Sequence, residues 1–442
     1  MRQCSLEKVA KVLSLNYKGE HVFVNNISTD SRNIGKDTLF VAIKGERFDG
    51  NDYVEQALAN GAVAAIAERE ISNEKPVLVV ENSIEALAKI ASEERNSYDR
   101  VIAITGSNGK TTVKEIVKSI VSESCRVVAT EGNYNNEIGL PLTIISGGEE
   151  DSVLVLEMGA RKPGDIKYLM QIARPDIVLI NNVSDAHLET FGSRDKVAET
   201  KGEIITAAAA DTSVVLNRDN EYYEYFAELA GKRPLFTFGS NEEADIINLS
   251  EKDEMVVPVP TGKVRAKLNL PGRHNLQNAL AAITIATCLG IPVEKIVSGL
   301  EKITEVKGRV NRKRGVNGSC IIDDSYNANP ASFSAAIDIL KEESGKKWLL
   351  FGDMGELGTD EAKLHKKVLD KAVASKLDRI FVIGKNSIKA ARENNENVTE
   401  LSSKSAAVAL FKEELQEDVT LLIKGSRFMG LDEIVTDLEV NG

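Results

Sequence analysis

Between the apolar run 101–104 and an amphipathic helical pattern stands Thr105-Gly106-Ser107-Asn108-Gly109-Lys110-Thr111-Thr112. A glycine-rich turn that carries a strand straight into a helix aims backbone N–H groups and the positive helix end at one point, and phosphate oxygens suit that point. Lys110 adds a charge for the outer phosphates, and the Thr111 hydroxyl is placed to reach Mg²⁺. Gly106, Ser107, Asn108, Gly109, Lys110, Thr111 and Thr112 are therefore expected to hold a nucleoside triphosphate. The loop is a compact variant, because Ile104 rather than glycine stands five residues before Gly109. The plain alternative is an ordinary glycine turn.

The strand-then-helix pattern recurs, which predicts an α/β fold with parallel sheets covered on both faces. A chain of 442 residues with 42% hydrophobic content is too long for one core, and three domains are expected. Residues 1–82 read as a small α/β unit, with strand-like runs at 21–24, 38–43 and 77–80 around a helix at 53–60. Residues 83–311 read as a central P-loop domain with strands at 101–104, 127–129, 153–158 and 177–180, and with a polar, strand-rich insert at 244–270. Beyond a basic stretch at 311–314, residues 312–442 read as a Rossmann-like domain with strands at 320–323, 348–351, 379–383 and 419–423.

The net charge of −12 is spread among both signs, so no basic stripe marks a nucleic-acid binder. Cys4, Cys125, Cys288 and Cys320 are scattered without metal-ligand spacing and are expected to be buried thiols in a reducing cytoplasm. No apolar leader opens the chain and no 18 apolar residues run together, so neither export nor membrane insertion is expected.

Ligands of open parallel sheets gather beyond the carboxyl ends of the strands, which gives weight to polar residues just after apolar runs. Glu157 is such a residue, either a Mg²⁺ ligand or a cap or salt-bridge acid. His187 follows another strand; a lone histidine is more often structural. Lys201, on a helix, reads by itself as a solvated lysine. The amide-rich stretch containing Asn133, Asn135 and Asn136 suits peptide or sugar recognition, or else a hydrogen-bonded loop. Asn275 and Asn278 share one helix face and would hold an adenine edge or cap the helix. Arg309 would clamp phosphate from a hinge, and Asp324 would accept from ribose hydroxyls; the alternative for both is an interdomain salt bridge.

Taken in order, these segments resemble the Mur ligase family, ATP-dependent amide-bond-forming enzymes of peptidoglycan precursor synthesis, over nearly the whole chain. Residues 27–32 (ISTDSR) and 39–50 (LFVAIKGERFDG) look like its UDP-substrate domain, and TGSNGKTT looks like its ATP loop. GNYNNEIGLP (132–141), LEMGAR (156–161), DDSYNANP (323–330), FGDMGELG (351–358) and KGSRFMGLDEIV (424–435) look like the branch that joins D-alanyl-D-alanine to UDP-N-acetylmuramoyl-tripeptide. The Asp-Asn-Pro-Arg string of the branch that adds the third residue is absent.

The resemblance implies ATP and Mg²⁺ as cofactors. Thr111 and Glu157 would hold one Mg²⁺, His187 and a carbamylated Lys201 a second. Lys110, His187 and Lys201 would be catalytic, while Asn278, Arg309 and Asp324 would touch the nucleotide. Ser31, Arg32 and Lys44 would meet the UDP-sugar. It also implies an acyl-phosphate route, a cytoplasmic monomer, and no nucleic-acid partner. The alternatives are another Mur-type ligase, folylpolyglutamate synthetase, which shares the ligase core but lacks a counterpart of 27–50, and a non-enzymatic ATP-controlled binding switch.

Overall fold

The computed structural model describes residues 1–46, 48–184, 188–250, 254–393 and 398–440. Its architecture is α/β, built on three sheets met in chain order. The first has four parallel strands, Asn26–Ser28, Thr38–Val41, Ala64–Ala67 and Val77–Val79, side by side in sequence order. Thr38–Val41 and Ala64–Ala67 are buried at every position, as strands covered on both faces must be.

The second sheet has seven parallel strands in the order Ile246–Ile247, Leu235–Gly239, Ser213–Asn217, Ile177–Ile180, Arg100–Thr105, Asp151–Glu157, Arg126–Ala129. The strand Arg100–Thr105 serves two cores by simple alternation. Val101 and Ala103 pack with Leu154 and Leu156 on one face, while Ile102 and Ile104 pack with Val113 and Ile116 of the helix Lys110–Val121 on the other. Each such fully buried aliphatic side chain contributes about 1.5–3 kcal/mol. The sheet is therefore a rigid shelf, and the loop at its carboxyl edge inherits that rigidity.

The third sheet runs Asn311–Arg314, Cys320–Asp324, Val419–Lys424, Lys346–Gly352, Arg379–Ile383, Val398–Leu401, parallel except for its first strand. The basic stretch 311–314 thus forms an antiparallel edge strand, where charged side chains discourage further pairing. The chain enters this sheet through Gly308 and Val310, at φ +66° and +57°. A β-branched residue in that region is strained, so the crossing is held by its surroundings.

The insert at 244–270 contains an antiparallel hairpin, Glu254–Val259 with Gly262–Lys267, packed on the helix Val293–Lys302. One expectation is corrected: Cys4, Cys125, Cys288 and Cys320 are free thiols but only partly buried. Three of them begin or end a strand or helix and Cys125 lies just past a helix, where packing is incomplete. Burial still pushes the Cys288 thiol up to about 12. Among the described residues no helix is long and apolar enough to cross a membrane.

Candidate active site

The register sets Ile180 opposite Thr105 and Glu157 opposite Ile104. Neighbouring strands therefore release the phosphate loop, the segment 181–184 and Glu157 at one level of the sheet edge. Within the loop Gly109 has φ +79°. A Cβ there would lie 2.3 Å from Asn278 Oδ1 and 2.4 Å from Asn181 Nδ2, so conformation and space both require glycine. The amides of Gly109, Lys110, Thr111 and Thr112 find no protein acceptor among the described residues. These are the unpaired donors of a helix start, and with the positive helix end they make an anion cradle.

A web of neutral amides fixes the cradle. Asn108 N donates to Asn182 Oδ1 at 2.8 Å, and Asn181 Nδ2 donates to Asn108 O and Asn278 Oδ1, both at 3.0 Å. Asn278 Nδ2 in turn donates to Asn275 Oδ1 at 3.0 Å. Asn278 thus lies beneath the phosphate loop, buried and bonded within the web. Ser107 Oγ accepts from Ser184 N at 3.0 Å. Because the web carries no formal charge, it shapes the loop without competing for the phosphates.

Lys110 Nζ donates to Gly106 O at 2.7 Å. Burial lowers its pKa, the Glu157 carboxylate opposes that, and Arg309 adds to it. Arg309, from the domain crossing, is therefore within electrostatic reach of the loop; its guanidinium stacks 4.5 Å above the Tyr326 ring. Glu157 is 4% exposed. Its oxygens accept from Thr111 Oγ1 and Asn135 Nδ2, each at 2.8 Å, and no cation pairs with it among the described residues. A buried carboxylate is costly without a counter-charge. One carboxylate beside one hydroxyl, both hard oxygen donors, fits Mg²⁺.

Lys201, on the helix Arg194–Thr206, is buried at 6% exposure, and no hydrogen bond or ion pair holds its ammonium among the described residues. Burial and then the charge of Lys110 push its pKa well below the ordinary lysine value. The solvated-lysine reading is thereby corrected: the helix turns this residue inward, with Val197, Ala198, Ile204 and Ile205. His187 lies outside the described residues.

Other expected residues are placed differently. Asp324, 5% exposed, pairs with Lys424, whose Nζ also donates to Asn327 O at 3.0 Å. The salt bridge is thus inside the third domain rather than between domains. Asn136 Oδ1 accepts from Gly139 N at 2.9 Å at the start of the helix Gly139–Ile145, while Asn133 is exposed. Ser31 Oγ donates to Gln56 Oε1 at 3.2 Å, and Arg32 forms an exposed bidentate pair with Asp30. Lys44 is exposed opposite Asp49. Among the described residues no hydrogen bond or ion pair joins Ser31, Arg32 or Lys44 to the phosphate loop.

Asn181, Asn182, Ser184 and Lys424 were not singled out by their sequence context. The first three follow the apolar strand Ile177–Ile180, and Lys424 ends the buried strand Val419–Lys424. The strand-end rule that pointed to Glu157 applies equally to them.

Comparison with known proteins covers nearly all of the chain. Residues 23–102 match the model described as Mur ligase family, catalytic domain; 104–286 match the Mur ligase middle domain; 308–427 match the Mur ligase, glutamate ligase domain. UDP-N-acetylmuramoyl-tripeptide–D-alanyl-D-alanine ligase of Escherichia coli is 35% identical over 451 residues, covering 100% of each chain. A crystal structure of MurF from Acinetobacter baumannii superposes with a TM-score of 0.90 at 31% identity, over 99% of this chain and 98% of that one. MurF ligase from Thermotoga maritima, solved with ADP, gives 0.81 at 31% identity over 94% and 97%.

Proposed function

The chain belongs to the Mur ligase family, and on that premise we propose that it joins D-alanyl-D-alanine to the terminal carboxylate of UDP-N-acetylmuramoyl-tripeptide with consumption of ATP. One observation carries the reading: an anion cradle with its lysine, a buried Glu157–Thr111 oxygen pair, and a buried lysine with no partner among the described residues meet at one sheet edge beneath a third domain.

A carboxylate does not react with an amine, because oxide is a hopeless leaving group. In the proposed route a carboxylate oxygen of the tripeptide attacks the γ-phosphorus of ATP, the bond to the β,γ-bridging oxygen breaks, and ADP leaves. The amine of D-alanyl-D-alanine then attacks the acyl carbon, loses a proton, and expels phosphate. The cradle amides and Lys110 bind the phosphates and neutralise charge that grows on the transferred group, which is electrostatic work. Thr111 and Glu157 would hold Mg²⁺, which when bound neutralises phosphate charge. Arg309 and the third domain close the cleft against water, to which an acyl phosphate would be lost.

Lys201 would act after modification. Its amine, whose proton burial makes easier to lose, adds in its neutral form to CO₂ with loss of one proton, giving a carbamate whose oxygens are hard ligands; with His187 these would serve a second Mg²⁺.

The test is incubation of the protein with ATP, Mg²⁺, D-alanyl-D-alanine and the UDP-tripeptide carrying lysine or diaminopimelate, with products weighed by mass spectrometry. One amide product and one phosphate per turnover are expected. Turnover equally fast with free D-alanine, or phosphate release that ignores the dipeptide, would overturn the reading.

A further inference from the structure

The helix Pro330–Glu342 of the third domain starts with a capping box. Asn329 Oδ1 accepts from Ser332 N at 2.9 Å, and Ser332 Oγ accepts from Asn329 N at 3.0 Å. Proline at the first helical position completes the start signal. The cap settles the orientation of the amide. A backbone N–H can only donate, so Oδ1 must face Ser332 and Nδ2 must face the other way.

That other way is the phosphate loop. Asn329 Nδ2 donates to Asn108 Oδ1 at 2.6 Å across 221 residues of sequence. Asn108 is then oriented in turn, and its Nδ2 donates to Ser184 Oγ at 2.8 Å. Among the described residues this is the one side-chain hydrogen bond between the third domain and the loop. On the third-domain side the same corner is tied down by Ser426, whose Oγ donates to Ala328 O at 3.1 Å and accepts from Gly355 N at 2.8 Å. The central domain adds a second contact, this one between backbones, Glu189 N to Glu356 O at 3.3 Å.

We infer that Asn329 is a positioning residue for the phosphoryl-transfer site, a latch through which third-domain closure fixes Asn108 and so the shape of the phosphate loop. The inference rests on the ligase reading above. Asn329 touches no reacting atom: one end of its amide caps a helix, the other end reports to the loop that the domain has closed. With the latch lost, the loop and the third domain are no longer held in one arrangement. Water then reaches the activated carboxyl before the amine does.

Two substitutions separate latch from cap, because serine and aspartate are both good N-caps. Asn329→Ser keeps an oxygen for Ser332 N and has no group that reaches Asn108. Asn329→Asp keeps the cap and turns an acceptor toward the Asn108 acceptor. Both variants should melt within about 2 °C of the parent, because the cap is kept. Loss of one hydrogen bond should lower kcat by about three- to tenfold for Asn329→Ser, and further for Asn329→Asp. The ratio of phosphate released to amide formed should climb above one in both. A parent protein that forms no amide would defeat the ligase reading itself. A parent that forms amide, beside variants with parental kcat and one phosphate per amide, would overturn the latch alone. So would losses that merely follow a fall in melting temperature.

Discussion

Two of the buried lysines in this molecule, Lys424 and Lys201, sit at nearly the same depth and in opposite company. Lys424, fully buried at the end of the strand Val419–Lys424, has Asp324 against its ammonium and the Asn327 carbonyl beside it. Lys201, inward on the helix Arg194–Thr206, has no anion against it among the described residues, and its electrostatic neighbour there is another lysine, Lys110. Burial lowers both pKa values, but only at Lys424 do an opposite charge and its hydrogen bond pull the other way. The first lysine is built to stay an ammonium and tie two strands together. The second holds its proton less tightly, and a neutral amine is a nucleophile. Burial alone therefore does not distinguish structure from chemistry; the partner does.

The largest effect expected from breaking the comparison is on stability. Lys424→Met leaves Asp324 as an uncompensated buried carboxylate and should cost about 3–5 kcal/mol, most of it recovered in Asp324→Asn/Lys424→Met. Lys201→Met, measured in CO₂-free buffer, should instead stabilise by about 0.5–2 kcal/mol while lowering activity. The pH dependence has a definite sign. The unfolded chain keeps the Lys201 proton up to about 10.5 while the folded protein releases it lower, so within that window stability rises with pH, by up to about 1.4 kcal/mol per unit. Lys201→Met should flatten that slope. Urea unfolding at several pH values reads all of this, and a destabilised Lys201→Met would mean that the ammonium has a partner after all.

Next in size is activity. Lys201→Ala should lower kcat by about 10²–10³, the scale of losing one preorganised electrostatic group. Added acetate should restore part of it by supplying carboxylate oxygens where the proposed carbamate would stand. ¹³C NMR of the parent under ¹³CO₂ and Mg²⁺ should give a carbamate resonance that the variant lacks. Parental turnover in Lys201→Ala would return the residue to an ordinary core lysine.

Sequence made one of these regions legible and hid the other. The phosphate loop declares itself because Gly109 is forced by both its φ and its neighbours, and because strand and helix patterns flank it within a few residues. The strand-end rule reached Glu157 for the same local reason. Lys201 was invisible without the family resemblance: its burial follows from which face of one helix meets the core, and its helix is only weakly amphipathic, with charged residues on most sides. Asn278 was legible as a helix-face amide, yet its place beneath Gly109 depends on a contact with Asn181, 97 residues away. The salt-bridge alternative for Asp324 could not name its partner, because Lys424 lies 100 residues downstream. The parallel sheets were legible from alternating runs, whereas the edge strand Asn311–Arg314 was not, since four polar residues carry no strand period.

The smallest effect sharpens the contrast within a single helix. Lys196 lies five residues before Lys201 on Arg194–Thr206, with the same side chain and the same backbone. It points to solvent, 55% exposed, and its ammonium sits 2.5 Å from Glu199 one turn on. Hydrogen bonding to Glu199 raises its pKa, the opposite direction from Lys201. An exposed pair of this kind gains little, because water screens it and two long side chains must be ordered to make it. Lys196→Ala should therefore leave kcat at the parental value and move the melting temperature by no more than about 2 °C. It should leave the ¹³C carbamate resonance in place as well. If Lys196→Ala lowered activity as Lys201→Ala does, the helix itself and not the buried amine would be the sensitive element, and the distinction drawn between the two lysines would have to be drawn between two helices instead.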